Sequence, residues 1–176
     1  PAPVHPGGAV GGGAGLSYID YVNIIEQLAI VDSSVALDVA AHNSLCTGHI
    51  YLAGNEEQRK RFLPKLTSGE WIGAWGLTEP ASGSDASGLL TTAVKDGDEW
   101  VINGTKNFIT NATYANVAVV LAITDREDRK HGISAFVIEM DRPGIRPGKK
   151  ENKLGMRASD TAELVLQDCL VSDEAL

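Results

Sequence analysis

Helical periodicity governs the first third of the chain. Ser17 is a favourable N-cap residue, and the apolar residues after it recur at helical spacing, which predicts an amphipathic helix. Its apolar stripe consists of Val22, Ile25, Leu28 and Ala29. Asp32 and Ser33 interrupt this pattern and supply a second cap. Residues 35–53 then have the pattern of a longer helix that is apolar nearly all round, so we expect it to be buried.

A third helix is predicted after residue 54. Gly54 stands where the end of a helix favours a left-handed backbone. Asn55, with Gln58 three residues later, has the spacing of a capping box. Acidic residues come first in this segment and basic residues follow, which suits the helix dipole. Pro64 is expected to end or kink the helix.

Strand signals replace the helical pattern after Gly69. The predicted strands are residues 90–95, 99–102, 105–110, 117–124, 133–140 and 161–166. Gly97, between two aspartates, marks a hairpin, and the Asn103-Gly104 pair marks another turn. Short strands joined in this way predict an antiparallel β-sandwich or barrel. Because the helices precede the strands and no GxGxxG motif opens a helix, the expected fold class is α+β rather than a doubly wound nucleotide fold.

Composition narrows the classes of protein further. Of the 176 residues, 43% are hydrophobic and 22% are charged, which is typical of a globular domain. The net charge of −8 argues against nucleic-acid binding, which needs clustered Lys and Arg. No apolar run is long enough to span a membrane, and no segment has the pattern of a signal peptide. Residues 1–15, rich in Pro, Gly and Ala, are expected to be irregular and suggest a truncated or inserted start.

Neither the cysteines nor the histidines predict a metal site. Cys46 and Cys169 lie far apart and are expected to be reduced thiols, although their number also allows one disulfide. His42 and His49 lie near each other in the sequence, and seven residues place them two turns apart on one helical face. No histidine pair has the spacing of an HExxH-like motif.

Residues 75–88 are the most informative segment. They run from the end of a strand into a loop of Gly and Ser. Such a loop presents backbone N–H groups and small hydroxyls, which suit the edge of a ring or a phosphate. Taken alone, Pro80, Gly83 and Gly88 are also explained as residues that turn the chain between two strands.

The residue order in this segment resembles the signature of the acyl-CoA dehydrogenase family. The matching positions are Gly76-Leu77-Thr78-Glu79, Ser82-Gly83-Ser84-Asp85 and Gly88. Residues 103–111 resemble the family's second flavin segment, and residues 153–159 with Thr161 resemble its later turn. Residues 54–58 and 62–64 resemble its N-terminal helical domain. The similarity runs in register from about residue 13 to residue 176, so it covers nearly the whole chain.

The resemblance implies four parts of the chain. These are an irregular start at 1–15, a partial N-terminal helical domain at 16–70, a FAD-binding middle β-domain at 71–170, and the start of a link to a C-terminal domain at 171–176. The C-terminal helical domain of the family is expected to lie outside these residues.

The resemblance also implies that FAD lies against the β-domain. The implied cofactor-binding residues are Trp75, Gly76, Leu77, Thr78, Ser84, Phe108, Ile109 and Thr110. Backbone groups and the Thr78 hydroxyl would meet the pyrimidine edge of the flavin, and Ser84 would contact the pyrophosphate and lie beside the substrate. Phe108 would pack on the ring with less area than the tryptophan of many relatives. Ile109 would line the ring, and the Thr110 hydroxyl would bond flavin N5. Without the resemblance, these would be ordinary strand and core residues.

The implied reaction is the α,β-dehydrogenation of an acyl-CoA thioester, in which a carboxylate removes the α-proton while hydride passes to FAD. The family's base is a glutamate of the C-terminal domain, so none of Glu79, Glu139 and Glu163 is assigned that role. The implied partners are an acyl-CoA substrate and an electron-transfer flavoprotein. The intact protein is expected to be a dimer or tetramer, in a bacterial cytoplasm or a mitochondrial matrix.

Several alternatives stay open at this point. Residues 16–21, 43–45 and 149–155 look most like the short-chain, butyryl-type members. Acyl-CoA oxidases and desulfinases share the scaffold and differ in the electron acceptor or in the base. As a different class of protein, the chain would be a non-catalytic fragment that binds flavin weakly. A plain β-sandwich recognition module would require all the flavin-segment matches to be accidental.

Overall fold

The computed structural model describes residues 15–128 and 131–176 and places a layer of helices against a seven-stranded sheet. The predicted irregular start at 1–15 lies, apart from Gly15, outside the described residues. Helices come first in the chain and strands follow, so the α+β class is confirmed.

The helical layer holds two capped helices and one long composite helix. The helices are α1 (Tyr18–Val31), α2 (Ser33–Ala40), α3 (Gly48–Ala53) and α4 (Glu56–Ser68). A π-helical segment, Ala41–Thr47, joins α2 to α3 with helical backbone angles at both junctions. The helix predicted at 35–53 is therefore confirmed, with one π-helical stretch that the periodicity did not reveal.

The predicted N-caps are confirmed. The Ser17 side chain accepts the N–H of Asp20, which completes a capping box, and Asp32 accepts the N–H groups of Ser34 and Val35. Asn55 and Gln58 bond each other's backbone N–H at 2.9 Å. Each cap satisfies donors that the first helical turn leaves without partners.

The left-handed cap predicted at Gly54 is wrong, and α4 does not end at Pro64, where an end or a kink was predicted. Gly54 has an extended backbone (φ −66°, ψ 152°), so no left-handed cap forms there. Glycine is needed instead because a Cβ at this position would meet the backbone oxygen of Ile50. Helix α4 runs through Pro64 to Ser68 and ends at Gly69, which is left-handed at φ 77°.

The expected burial of the composite helix is wrong for its outer face. Apolar side chains on that face are exposed, namely Val35, Leu37, Leu45 and Leu52. Helix α1 buries none of its residues. Because the described sheet packs against one side of this layer, the opposite side has no covering layer among the described residues. Within the described part of the chain, no helix is both long and apolar enough to cross a membrane.

Within the described residues, seven strands follow the helices. They are β1 (Gly73–Gly76), β2 (Thr92–Asp96), β3 (Glu99–Thr110), β4 (Val117–Ile123), β5 (Ile133–Glu139), β6 (Ile145–Lys150) and β7 (Thr161–Ser172). The hairpin at Gly97 is confirmed, with φ 60° at the glycine. The turn predicted at Asn103-Gly104 is wrong, because β3 continues through both residues with a bulge in its pairing to β7. Strand β6 was not predicted, β1 was predicted only by its end at Trp75, and β7 extends well beyond residue 166.

The sheet is mixed, and both β1 and β2 pair in parallel with β4, at different ends of that strand. Strand β5 pairs with β4 along its whole length. Strand β1 pairs in parallel with the first part of β4, and Thr92 of β2 pairs with Ile123 at the end of β4. Because one edge of β4 is taken by β5, β1 and β2 share the other edge one after the other. Strands β3, β7 and β6 continue the sheet in antiparallel pairing beyond β2.

Two apolar cores stabilise this arrangement. One lies within the β-unit and includes Ile102, Phe136 and Leu164. The other lies between helices and sheet and joins Ile50 and Leu63 to the β4 side chains Val117 and Val119. Cys46 lies in the second core, and both cysteines are free and buried. Burial raises the pKa of the Cys46 thiol to about 12, so it behaves as an unreactive apolar side chain.

Candidate functional site

The chain leaves the sheet between β1 and β2, and a carboxylate closes the resulting loop of residues 77–91. The side chain of Glu79 accepts the backbone N–H of Leu90 at 2.6 Å and that of Thr91 at 3.0 Å. Its own N–H donates to the carbonyl of Ser82 at 2.8 Å. The glutamate therefore ties the start of the loop to its end and fixes the gap between the two strands.

A buried ion pair holds this carboxylate. Nζ of Lys106, on β3, donates to Oε1 of Glu79 at 2.6 Å and to the carbonyl of Leu77 at 3.3 Å. The two side chains are only 0% and 4% exposed. Burial raises the pKa of Glu79, but hydrogen bonds from Lys106 and the loop N–H groups outweigh it and hold the pKa below its usual range. Burial lowers the pKa of Lys106, and Glu79 opposes that shift.

The outer part of the loop is tightened by short polar contacts. The Ser82 hydroxyl donates to the carbonyl of Asp85 at 2.5 Å, and the Ser87 hydroxyl donates to the Asp85 carboxylate at 2.6 Å. A Cβ at Gly88 would lie 2.9 Å from that carboxylate, so the glycine allows the close turn. Ser84 lies exposed on this loop.

Strand β3 meets the loop at a distorted point. The N–H of Asn107 donates to the carbonyl of Thr78 at 2.7 Å, which joins the end of β1 to β3. Pairing with β7 is interrupted between Lys106 and Ile109. Within this bulge Phe108 has φ 58°, which is unusual for a residue with a side chain, and its ring is 60% exposed. Such strain persists where the surroundings impose it, and it is common at functional sites.

The structure thus brings the two predicted flavin segments together. Residues Trp75, Gly76, Leu77 and Thr78 lie on one side of the junction, and Phe108, Ile109 and Thr110 lie on the other. Ser84 lies farther out on the loop. The side chain of Ile109 is an exception, because it is 3% exposed and packs in the β-core. The side chain of Ile109 is therefore not available to a ligand.

Polar groups at this junction have no partner within the described part of the chain. The hydroxyls of Thr78 and Thr110 make no hydrogen bond there, and neither does the hydroxyl of Ser84 farther out on the loop. The buried side-chain oxygen of Asn107 is also without a partner. Hydroxyls that make no bond within the protein, together with an exposed aromatic ring, suit a ligand with a flat ring and polar edges.

A second polar cluster links the helical layer to the β-unit. Asn111, at φ 67°, donates from its side chain to the carbonyls of Asp38 at 3.2 Å and Gly73 at 3.3 Å. The Ser159 hydroxyl donates to the Asp38 carboxylate at 2.6 Å. Both residues stand in segments that resemble the family, yet sequence analysis gave them no role. Its partners are distant in the sequence, so no local pattern indicated Asn111.

Sequence analysis also missed the role of Lys106. A lysine that interrupts the apolar side of a strand is unusual, because buried lysines need a charged partner. Glu79 was recognised as part of the loop signature, but the sequence gave no sign that these two residues meet. Among the described residues, no group of three or more His, Cys, Asp or Glu side chains is arranged to hold a metal ion.

Family models match this architecture in two consecutive parts. The acyl-CoA dehydrogenase N-terminal domain matches residues 9–70, and the acyl-CoA dehydrogenase middle domain matches residues 74–169. The chain belongs to the acyl-CoA dehydrogenase family. The boundary between the two matches falls between α4 and β1, where the helical layer gives way to the sheet.

Individual relatives agree with this assignment. The short-chain specific acyl-CoA dehydrogenase of human mitochondria is 45% identical over 165 residues, which are 94% of this chain and 40% of the relative. The short-chain specific acyl-CoA dehydrogenase of Clostridium acetobutylicum is 47% identical over 163 residues, 93% of this chain and 43% of the relative. The chain thus spans about two fifths of the length of these relatives.

Solved structures show the same fold. A chain from work on the electron transferring flavoprotein of Acidaminococcus fermentans has a TM-score of 0.92 and 46% identity, covering 94% of this chain and 43% of that one. Butyryl-CoA dehydrogenase of Megasphaera elsdenii has a TM-score of 0.84 and 45% identity, covering 86% and 40%. A glutaryl-CoA dehydrogenase of Mycobacterium smegmatis in complex with FADH2 has a TM-score of 0.87 and 40% identity, covering 93% and 41%.

Replacing Phe108 by glycine or by alanine separates backbone strain from the function of the ring. Glycine adopts positive φ freely, whereas alanine keeps the strain of about 1 kcal/mol. We therefore expect Phe108→Gly to be as stable as Phe108→Ala or up to about 1 kcal/mol more stable in urea unfolding. Both variants should bind a flat aromatic ligand more weakly than the parent protein. A Phe108→Ala variant clearly more stable than Phe108→Gly would show that the positive φ is not strained.

Proposed function

We propose that this chain forms the flavin-facing half of an FAD-dependent acyl-CoA dehydrogenase. The observation that carries the proposal is the junction of β1 and β3, where the Asn107–Thr78 hydrogen bond joins the segment that carries Thr78 to the one that carries the exposed Phe108 and Thr110. An isoalloxazine needs a flat apolar surface for its ring and hydrogen-bonding groups for its polar edges.

The residues present at the junction fit FAD. Phe108 offers an exposed ring on which the isoalloxazine would pack. The Thr78 hydroxyl and nearby backbone would hold the pyrimidine edge, and the Thr110 hydroxyl would bond N5. Ser84, exposed on the loop, would contact the pyrophosphate and the acyl-CoA. Ile109 contributes through its backbone, because its side chain is buried in the β-core.

The cofactor would supply the acceptor for the β-hydride of an acyl-CoA thioester. Residues of this chain would hold the reacting groups in line and exclude water from one face. The buried ion pair of Lys106 with Glu79 would keep the loop in place while the Thr78 and Thr110 hydroxyls orient the cofactor.

The catalytic base belongs to another part of the intact protein. Glu79 is occupied by Lys106 and the loop N–H groups. Glu139 forms an ion pair with Arg61 at 3.0 Å, and Glu163 accepts the N–H of Lys149 at 3.0 Å. None of these three carboxylates is free at the junction, which supports a base supplied from outside residues 1–176. Accordingly, these residues alone should show no turnover.

Relatives favour a short acyl chain and an electron-transfer flavoprotein as partner. Two curated relatives with 45% and 47% identity are named short-chain specific, and a solved relative at 45% identity is named butyryl-CoA dehydrogenase. A structure from work on an electron transferring flavoprotein is 46% identical. The intact protein would work as a homo-oligomer in a mitochondrial matrix or a bacterial cytoplasm, the compartments suggested by the mitochondrial and bacterial relatives.

An FAD titration with a Thr78→Ala, Thr110→Ala double variant tests the proposal. Each lost hydrogen bond is worth about 0.5–1.5 kcal/mol, so together they should weaken FAD binding on the order of tenfold or more. Visible absorbance of the full-length protein during titration measures the affinity. Short-chain acyl-CoA should reduce the bound flavin of the parent protein.

A Thr113→Ala variant is a suitable control, since Thr113 is exposed and lies beyond the end of β3. It should bind FAD as the parent does. Saturable binding that is equally strong in the double variant would show that the flavin does not lie on this junction. Failure of the full-length parent protein to bind FAD would contradict the proposed function itself.

A further inference from the structure

Two histidines of the composite helix hold strand β1, and the proposed function does not use them. The N–H of Gly73 donates to Nδ1 of His42 at 2.9 Å, and Nε2 of His42 lies 3.0 Å from the carbonyl of Leu66. Because an N–H can only donate and a carbonyl can only accept, His42 must be neutral with its proton on Nε2. The ring thereby joins the end of α4 to the start of β1.

His49 contacts the same strand two residues later. The indole N–H of Trp75 donates to Nδ1 of His49 at 3.1 Å, and the two rings lie 6.4 Å apart in a tilted arrangement. Here too the imidazole must present an unprotonated nitrogen. Protonation of either histidine would turn its acceptor into a donor facing another donor.

Strand β1 lies unusually close to this helix. A Cβ at Gly73 would lie 2.5 Å from Sγ of Cys46, which belongs to the π-helical segment between the two histidines. Only glycine allows this approach. The composite helix thus contacts β1 closely at Cys46, and His42 before it and His49 after it each accept a hydrogen bond from the strand.

The geometry points to a pH-sensitive clamp: neutral His42 and His49 position β1, and their protonation loosens the flavin junction that β1 leads into. This inference rests on the proposed function, because the junction is where FAD would lie. The two histidines act as positioning residues, since their partners are Gly73 and Trp75 rather than the reacting atoms.

At His42, burial outweighs the hydrogen bond to the carbonyl of Leu66. Burial lowers the pKa of His42 below its ordinary 6.5, and the bond to Leu66 opposes that shift. The carboxylates of Asp38 and Asp160 line the same cavity of about 280 Å³, as does the phenol of Tyr114. The ammonium of Lys65 lies over Trp71, which also lines that cavity.

The surroundings of His49 are simpler. Burial lowers the pKa of His49 below 6.5. Apart from the ring itself, its cavity is lined by Ser44, Leu45, Gly48, Leu52, Ala53 and Trp75. No charged residue of the described chain is among them. His49 should therefore stay neutral to lower pH than an exposed histidine.

The pH window follows from the direction of these shifts. Both folded-state pKa values lie below 6.5, so the unfolded chain binds protons first as the pH falls. The stability that the neutral rings contribute is complete above 6.5 and is lost between there and the lower folded pKa values. Burial also raises the pKa of Asp38. Measurements that compare protonated with neutral histidines must therefore stay above the pH range in which carboxylates titrate.

A His42→Gln, His49→Gln double variant of the full-length protein tests the clamp. Glutamine offers an acceptor oxygen that does not titrate. FAD affinity of the parent protein should fall on the order of three- to tenfold between about pH 7.5 and about pH 5.5, the loss expected for one or two hydrogen bonds. The double variant should lose most of this dependence. His131→Gln, on the exposed loop before β5, should keep it.

The outcomes separate the clamp from the proposed function. An unchanged pH ratio in the double variant would overturn the clamp while FAD binding at neutral pH still stands. Absence of FAD binding at neutral pH would overturn the function.

The clamp would then be tested by the fall in Tm of the flavin-free protein on acidification, which should be smaller in the double variant. If the double variant does not fold, imidazole ¹⁵N shifts of the parent protein decide it, and a protonated Nδ1 on His42 at neutral pH would overturn it.

Discussion

Replacing Lys106 by methionine should cost this protein about 3–5 kcal/mol of its free energy of unfolding. The substitution leaves the Glu79 carboxylate buried with no cation, and only the N–H groups of Leu90 and Thr91 still bond it. A loss of this size is a large share of the stability of an ordinary domain. Urea unfolding monitored by circular dichroism measures it.

The same variant should also lose FAD. Lys106 bonds the carbonyl of Leu77 as well as Glu79, so the loop would lose two contacts next to the junction. In the variant, protonation of Glu79 would remove the buried charge. The loss of unfolding free energy relative to the parent should therefore be smaller in mild acid than at neutral pH. A stability loss below about 1 kcal/mol would show that the pair is not essential to the loop.

Two further variants isolate the charge effect. Lys60→Met removes a lysine from an exposed pair with Glu57 at 3.4 Å and should change stability by less than about 1 kcal/mol. Glu79→Gln combined with Lys106→Met removes both charges and retains an oxygen that can accept a loop N–H. The double variant should therefore be more stable than Lys106→Met alone. An equal loss in both would assign the effect to packing of the lysine chain.

Replacing Gly73 by alanine should destabilise the contact between helix and sheet by about 2–3 kcal/mol or more. The added methyl group would lie 2.5 Å from Sγ and 2.7 Å from Cβ of Cys46. Cys46 is fully buried, so it has no space into which to move. The strand must shift, and the hydrogen bond from Gly73 to His42 should be lost with it.

Gly83→Ala is the matched control for this effect. Gly83 lies on the exposed loop, and a Cβ there would meet nothing within 4 Å. Its substitution should leave stability within about 0.5 kcal/mol of the parent. Thermal unfolding of both variants gives the comparison, and equal Tm values would show that β1 does not approach the helix as closely as described.

Local signals determined much of the fold before any tertiary contact was considered. The caps at Ser17, Asp32 and Asn55 and the hairpin at Gly97 depend on a few neighbouring residues, and all four form where they were predicted. The family resemblance is likewise a property of linear order, and it gave the family correctly. The assignment of individual residues to FAD stays a prediction that the titration tests.

Predictions that depended on distant partners were less successful. The Asn103-Gly104 pair has a turn-like composition, yet pairing with β7 keeps it in a strand. The outer face of the composite helix is apolar and still exposed, because burial is decided by what packs against a face and not by its composition.

The sequence by itself determined the helices, most of the strands, the family and the loop that carries its signature, because these follow from local spacing and residue order. Only the tertiary structure decided which residues meet. The gap between β1 and β2 is closed by Glu79 because the long-range order of the sheet brings Lys106 beneath it. In the same way, His42 and His49 become partners of β1 because glycine at position 73 lets the strand approach the helix.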